Sequence, residues 1–389
     1  MNNTERHLPS KRLQKRYKAE KRFKRYCITA LVLAISFLVV FFFSLIRKGA
    51  GAFRQAEIKT EIAFHEQSRQ TPLAAVDEDV RYLVSRGWLR KVPMMLKENP
   101  ELMDTVQTYW VVADAEVDQY LKGKPNKLRP RQKKVIETLK DEGRVKLSFN
   151  VYFFLNGDSK MPEIAGIKSA LVGTIYVLFL TLLSCFPVGV MTAVYLEEFA
   201  PDNRFTQAIE ININNLAAIP SILYGLLGLA IFINTFHVPR SSALAGGLTL
   251  GLMTLPVIII STRTAIRAVP DSIREAALGV GASRWQMVLH HVLPLSFPGI
   301  LTGTIIGLAQ AMGETAPLLI VGMMAFIPDV PGSFTQAATV LPAQIYTWAS
   351  SSLRPFEERT AAAILVLLVV LLFLNALAVF LRQKFQRKW

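Results

Sequence analysis

Six apolar runs dominate this sequence, each about as long as the roughly 20 residues a helix needs to cross a bilayer core. They lie at 26–46, 169–196, 215–236, 243–262, 297–327 and 361–381. Within hydrocarbon every backbone polar group must be satisfied internally, so such runs fold as helices. The expected fold class is an all-α membrane protein with six transmembrane helices. Pro187, Pro220, Pro256 and Pro317 interrupt the runs, and neighbouring helices can satisfy the backbone groups they free. No small-residue cleavage pattern follows the first run, which reads as a span and not as a signal peptide.

Charge supports the same class and sets an orientation. Charged residues make up 19% of the 389 residues, against about a quarter in an average soluble domain. The formal net charge is +15, and ten of the first 25 residues and four of the last eight are Lys or Arg. Each basic tail abuts an apolar run, which points to anionic membrane lipids as its partner and away from nucleic acid. The excess of positive residues in short flanks places residues 1–25 and 382–389 in the cytoplasm. The segment between the fourth and fifth runs then also falls inside, and it carries Arg263, Arg267, Arg274 and Arg284. The short stretch after the second run is acidic, with Glu197, Glu198 and Asp202.

Residues 47–168 separate the first run from the second. Long loops translocate regardless of charge, so this region is expected to be an extracytoplasmic, mostly helical domain. Leu83, Trp88, Leu89, Leu102, Val106 and Tyr109 recur at helical spacing within it. It shows no catalytic constellation. Cys27 and Cys185 both lie in apolar runs and read as packing residues, with no ligand cluster for a metal. The single Gly-Lys dipeptide, Gly123-Lys124, is followed by Pro125, so there is no phosphate-cradling P-loop. Any ATP hydrolysis belongs to another chain, and no cofactor is called for.

The segment 270–294 stands out between two membrane-length runs. Asp271 or Ser272 can cap a helix start, and Ser272 and Glu275 have capping-box spacing. Gly279 and Gly281 then break the helix, Ser283 can cap a second short one, and Pro294 is expected to end it. The result is a small helix–turn–helix whose small residues allow close approach to a partner. Its spacing (Glu275, Ala276, Ala277, then Gly281, then Leu293 and Pro294) resembles the EAA loop of binding-protein-dependent ABC importer permeases. His291 stands where that family usually has an aliphatic residue. The resemblance implies a MetI-like permease bundle in the bacterial inner membrane. It makes these residues, with Arg284, the coupling loop that seats in a cleft of the ATPase.

A second stretch, "AQAMGETAPLL" at 309–319, sets Glu314 in an otherwise uncharged run. A carboxylate at membrane depth is costly and usually faces a pathway or a partner. These words, with "PSILYGLLGL" and "TVLPAQIYTWA", are similar to the A-type permeases of phosphate-specific importers, the PstA family. The resemblance covers roughly residues 165–389, and the part before it resembles an N-terminal extension found in a proteobacterial subgroup. It implies translocation-path candidates Gln310, Gly313, Glu314, Thr315 and Pro317. It also implies a second permease (PstC-type), a pair of ATPase subunits (PstB-type) and a periplasmic phosphate-binding protein (PstS-type). One departure is plain: many relatives carry an Arg one turn before the Glu, and here it is Gln310. Glu314 is expected to share a helix face with Gln310 and to pair with a basic residue of the partner permease, or with Arg263 or Arg267. Two rival readings are a permease for another oxyanion (molybdate, sulfate or phosphonate) and a membrane sensor or scaffold.

Overall fold

The computed structural model describes residues 11–385; the expected tails at 1–10 and 386–389 lie outside the described residues. Two compact units divide after Lys48. The described part of the first lies in helix α1 (Lys11–Gly49), which carries the basic residues from 11 to 25 and the first apolar run as one helix and ends one residue into the second unit. Its 39 residues rise about 58 Å at roughly 1.5 Å per residue, well beyond a bilayer core. Cys27 is exposed on it.

The second unit begins with the insert, and here the structure adds what the periodicity did not reveal. Helix exceeds strand, but the insert is organised on a three-stranded antiparallel sheet. Strands β1 (Arg54–Ala63), β2 (Val106–Val112) and β3 (Val145–Phe149) lie in the order β2-β1-β3. From Ala56 to Ile62, β1 alternates buried and more exposed residues, with Ile58, Thr60 and Ile62 inside. That period of two belongs to a half-buried strand. Val106 and Tyr109 therefore sit on a strand and not on a helix. Short helices α2 (Glu66–Gln70), α3 (Arg86–Leu89), α4 (Val92–Glu98), α5 (Ala115–Leu121) and α6 (Pro130–Asp141) accompany the sheet. Leu83, Trp88, Leu89, Val92, Val117 and Ile136 join Ile58 and Ile62 in one core. Helix α7 (Val151–Leu155) leads out of the insert.

The membrane part holds α8 (Lys168–Val194), α9 (Arg204–Ala217), α10 (Ser221–Gly228), α11 (Ala243–Arg267), α12 (Asp271–Gly279), α13 (Arg284–Met287), α14 (Leu293–Gly313), α15 (Ala316–Ile320), α16 (Leu341–Ala349) and α17 (Pro355–Phe385). Among the described residues five helices are long and apolar enough to cross a membrane, or six if the bent pair α9–α10 is one span. Helix α11 is central and packs against α8, α9, α10 and α14. Small residues permit the approach: a Cβ on Gly247 or Gly251 would strike α8, and one on Gly303 of α14 would strike Ser261.

Two spans depart from the expected single helices. The third bends by 104° between α9 and α10. Pro220, the N-cap of α10, has no N–H, and it disfavours helix at Ile219. The Tyr224 hydroxyl donates to the Leu216 carbonyl at 2.7 Å and takes up one of the freed acceptors. The fifth run does not reach residue 327 as helix. It ends at Gly313, and α15 folds back against α10 and α11.

A polar network fastens the insert to α17. Lys122 lies 2.5 Å from Asp118 and 3.3 Å from Glu358, while Lys124 and Gln119 reach the other Glu358 oxygen at 2.9 and 2.6 Å. The neighbouring Arg359 donates to the carbonyls of Ala165 and Glu163 at 3.0 Å each. Trp348 of α16 donates to Asp158 at 2.8 Å. The buried charged groups here are all hydrogen-bonded, Asp118 and Glu358 by lysines and Asp158 and Arg359 by neutral partners.

Glu163 accepts from the Ser85 hydroxyl at 2.7 Å. Burial nonetheless pushes its carboxyl above the usual carboxylate range, against that hydrogen bond. The folded chain therefore holds this proton more tightly than the unfolded chain does. Its contribution to stability falls as pH rises through the interval just above the ordinary value. Glu163→Gln keeps an acceptor for Ser85 and loses the titration. We expect the melting midpoint of the detergent-solubilised variant, relative to wild type, to climb between about pH 4 and about pH 7. A difference flat across that range would contradict the assignment.

Candidate coupling segment and membrane pathway

The predicted helix–turn–helix forms, with a different start. Pro270 is the N-cap of α12 and no side chain caps it, so Ser272 and Glu275 do not make a capping box. The turn is set at its other end. Gly281 has φ +89°, a left-handed conformation that glycine adopts without penalty. The Ala282 N–H donates to Ala277 at 3.1 Å and the Gly281 N–H to Leu278 at 2.9 Å. This pair of bonds is the Schellman arrangement, which satisfies carbonyls at a helix end. A Cβ on Gly281 would meet nothing within 4 Å, so its value is conformational and not one of close approach. Ser283 then caps α13 with a true capping box through Gln286.

Pro294 does not end this second helix. A π-helical segment, Val288–Val292, carries α13 straight into α14, and Pro294 sits in the first turn of α14, where a missing N–H costs little. The segment is thus built onto the fifth span. Ala277 is buried with Ile266, Val269, Met287, Val288 and Val292, and Leu293 packs at the edge of this cluster. Glu275, Ala276, Arg284, His290 and His291 are exposed. Leu278, Val280, Trp285 and Leu289 are exposed too, Val280 at 86%. The tip of the hairpin is an apolar knob with Glu275 and Arg284 beside it.

Arginines tie this knob to the spans. Arg274 on α12 donates to Glu198 at 2.9 and 3.1 Å and to Asp271 at 3.0 Å. It also donates to the carbonyls of Val269 at 2.7 Å and Ile266 at 2.9 Å, beyond and within the end of α11. One guanidinium therefore joins α12, the end of α11, and the π-helical segment Tyr195–Phe199 that extends α8. Arg263 bonds Glu197 at 3.2 Å and Glu210 of α9 at 2.6 Å, and Arg267 bonds Glu197 at 2.6 Å. The acidic stretch after the second run, silent in the sequence, is the internal partner of these arginines. The pairs lie 53 to 76 residues apart, and nothing local announces them.

The pathway candidates gather at the other end of α14. Gly313 is its last residue, and Glu314 caps it with ψ 126°, already extended. Gln310 and Glu314 are thus not one turn apart on a continuing helix. Thr315 is the N-cap of α15 and Pro317 lies in its first turn, buried, where a Cβ on Gly225 of α10 would strike it. Gln310 and Gly313 are exposed, and Glu314 and Thr315 are half-buried. The Glu314 carboxylate has no hydrogen bond or ion pair among the described residues. Arg263 and Arg267 are engaged by Glu197 and Glu210, so neither is its partner. Among the described residues no group of His, Cys, Asp and Glu could hold a metal ion.

Residues 185–388 match the family described as binding-protein-dependent transport system inner membrane component. Residues 10–79 and 68–130 match a domain family of unknown function. A probable ABC transporter permease protein of Bacillus subtilis, YqgI, is 37% identical over 46% of this chain and 59% of its own length. The phosphate transport system permease protein PstA 1 of Mycobacterium tuberculosis is 33% identical over 57% of this chain and 73% of its own length. The protein named PstA in Haemophilus influenzae is 29% identical over 65% of this chain and 87% of its own length. The described spans, the hairpin built onto the fifth of them and these matches lead to one conclusion: the chain belongs to the family of binding-protein-dependent transport inner membrane components, as a multi-pass relative of the PstA permease proteins.

Proposed function

We propose that this chain is a permease subunit of an ATP-driven importer for inorganic phosphate. It would line the path with a second permease (PstC-type) and receive phosphate from a binding protein (PstS-type). The ATPase would be a separate pair of subunits (PstB-type). The observation that carries the reading is the exposed knob of α12 and α13, pinned by Arg274 to the ends of α8 and α11. An apolar tip flanked by charges suits a groove on another protein, and the pin turns a push on that tip into movement of two spans. In this reading the knob and both chain termini are cytoplasmic, and the insert is periplasmic. Phosphate as substrate rests on the PstA relatives, with other oxyanions as the second reading.

Uptake of radiolabelled phosphate in cells lacking this chain tests the proposal. Wild type restores uptake. Glu275→Lys does not, although Glu275 is exposed and the variant reaches the membrane at the wild-type level. If wild type assembles with its partners and restores no phosphate uptake, the substrate reading is lost.

Glu314 gives a second test. An unpaired carboxylate at the helix break would face either the second permease or the translocation path, as intramembrane carboxylates do. Glu314→Gln keeps the size and removes the charge. We expect uptake to fall several-fold with membrane level and ATPase association unchanged. Normal transport by this variant removes Glu314 from the pathway.

A further inference from the structure

The insert carries a stack of aromatic rings that transport, as read above, does not use. The Phe53 and Phe154 rings lie 6.0 Å apart at 15°, and the Phe154 and Phe149 rings 5.7 Å apart at 7°. The three come from the turn before β1, the end of β3, and α7. Phe149 is 62% exposed and Leu155 60%, with Val151 and Phe154 exposed beside them. On a helix, positions 151, 154 and 155 fall within about 100° of arc. Phe153 faces the other way and is fully buried. One face of α7 therefore packs inward, and the opposite face presents large apolar groups together with the stack. A contiguous patch of this kind marks an interaction surface.

Its height relative to the spans is fixed by hydrogen bonds and packing. The Ile167 N–H donates to the Phe153 carbonyl at 2.9 Å, and the Lys168 N–H to the Asn156 carbonyl at 3.0 Å. The end of α7 is thus bonded to the first residue of α8 and the one before it. On the other side, Ala52, next to Phe53, is buried with Phe356, Ala362 and Ala363 in the first turns of α17. The stack stands level with the starts of two membrane helices. Arg54 follows Phe53 in the chain and Lys168 is bonded to Asn156 just after α7, and both side chains are exposed. Phe and Leu side chains beside exposed cations, at the height where spans begin, match an interfacial element whose apolar face sits at the headgroup and acyl-chain boundary.

We propose that the insert is held down on the bilayer surface by the Phe53–Phe154–Phe149 stack and the outer face of α7. The partner is lipid, and the insert is an interfacial element as well as a domain tethered between two spans. The proposal rests on α8 and α17 being membrane spans.

Spin-label accessibility tests this on the full chain with its partner subunits, in vesicles of phosphatidylethanolamine and phosphatidylglycerol. Cys27→Ser and Cys185→Ala provide a background for single labels at Leu155→Cys and Phe149→Cys. Glu101→Cys serves as an exposed insert control and Phe373→Cys as a label on α17. Retained phosphate uptake shows that each variant is folded. We expect the oxygen-to-nickel-chelate collision ratio at 155 and 149 to exceed that at 101 several-fold and to approach that at 373. A ratio equal to that at 101 means the patch faces water and overturns the proposal. Protection from both reagents means protein covers the patch, and overturns it too. If the label at 373 also behaves as water-exposed, the spanning role of α17 fails first, which separates the two failures.

Discussion

A chain in hydrocarbon has no water to take up an unpaired N–H or C=O, and that constraint shapes every irregular point in this fold. Two breaks show how the freed groups are taken up or followed by new helix. The bend at Pro220 is relieved by the Tyr224 hydroxyl. The end of α14 is followed at once by α15, which packs on α10 and α11. Three π-helical segments, Tyr195–Phe199, Leu229–Thr235 and Val288–Val292, keep the backbone bonded while shifting its phase. Such segments often occur at functional sites. Two of them flank the hairpin, where a continuous but re-aimed helix is needed to present the knob.

The same demand explains why the arginines matter more than their number suggests. A guanidinium has five donors in a rigid fork, and a buried one must use them. Arg274 spends its donors on Glu198, Asp271 and two carbonyls at the end of α11. Arg359 spends its own on the carbonyls of Glu163 and Ala165 at the opposite end of the bundle. Each closes off backbone acceptors that would otherwise be left open, and each welds an appended element to a span. The hairpin is fastened to the ends of α8 and α11, and the insert to α17.

How much was legible follows from the range of each signal. Run length and the EAA spacing are local, and they placed the spans and the hairpin. Pro220 and Pro317 were visible as well, but whether a proline is absorbed or breaks the helix depends on what packs beside it. The alternation in "AEIKTEIA" of β1 is a strand period, whereas Val106 and Tyr109 also fit a helical period in the sequence. That period fails because β2 is fixed by pairing with β1 some fifty residues earlier. The Arg274–Glu198 and Arg263–Glu197 contacts are further apart still, and only the folded bundle brings them together.

The two ends of α14 show how these parts can act as one device. At its first turn the helix is continuous with the hairpin through Val288–Val292. At its last it releases Gly313, Glu314 and Thr315 into a break with an unpaired carboxylate. In the proposed reading, a displacement of the knob would pass into α14, because the π-helical segment joins the two helices and Ala277 and Val288 are packed in one cluster. At the far end regular helix stops, and Glu314 is already extended. In that reading, a push at the hairpin and a change at the Glu314 break would be a single motion of α14.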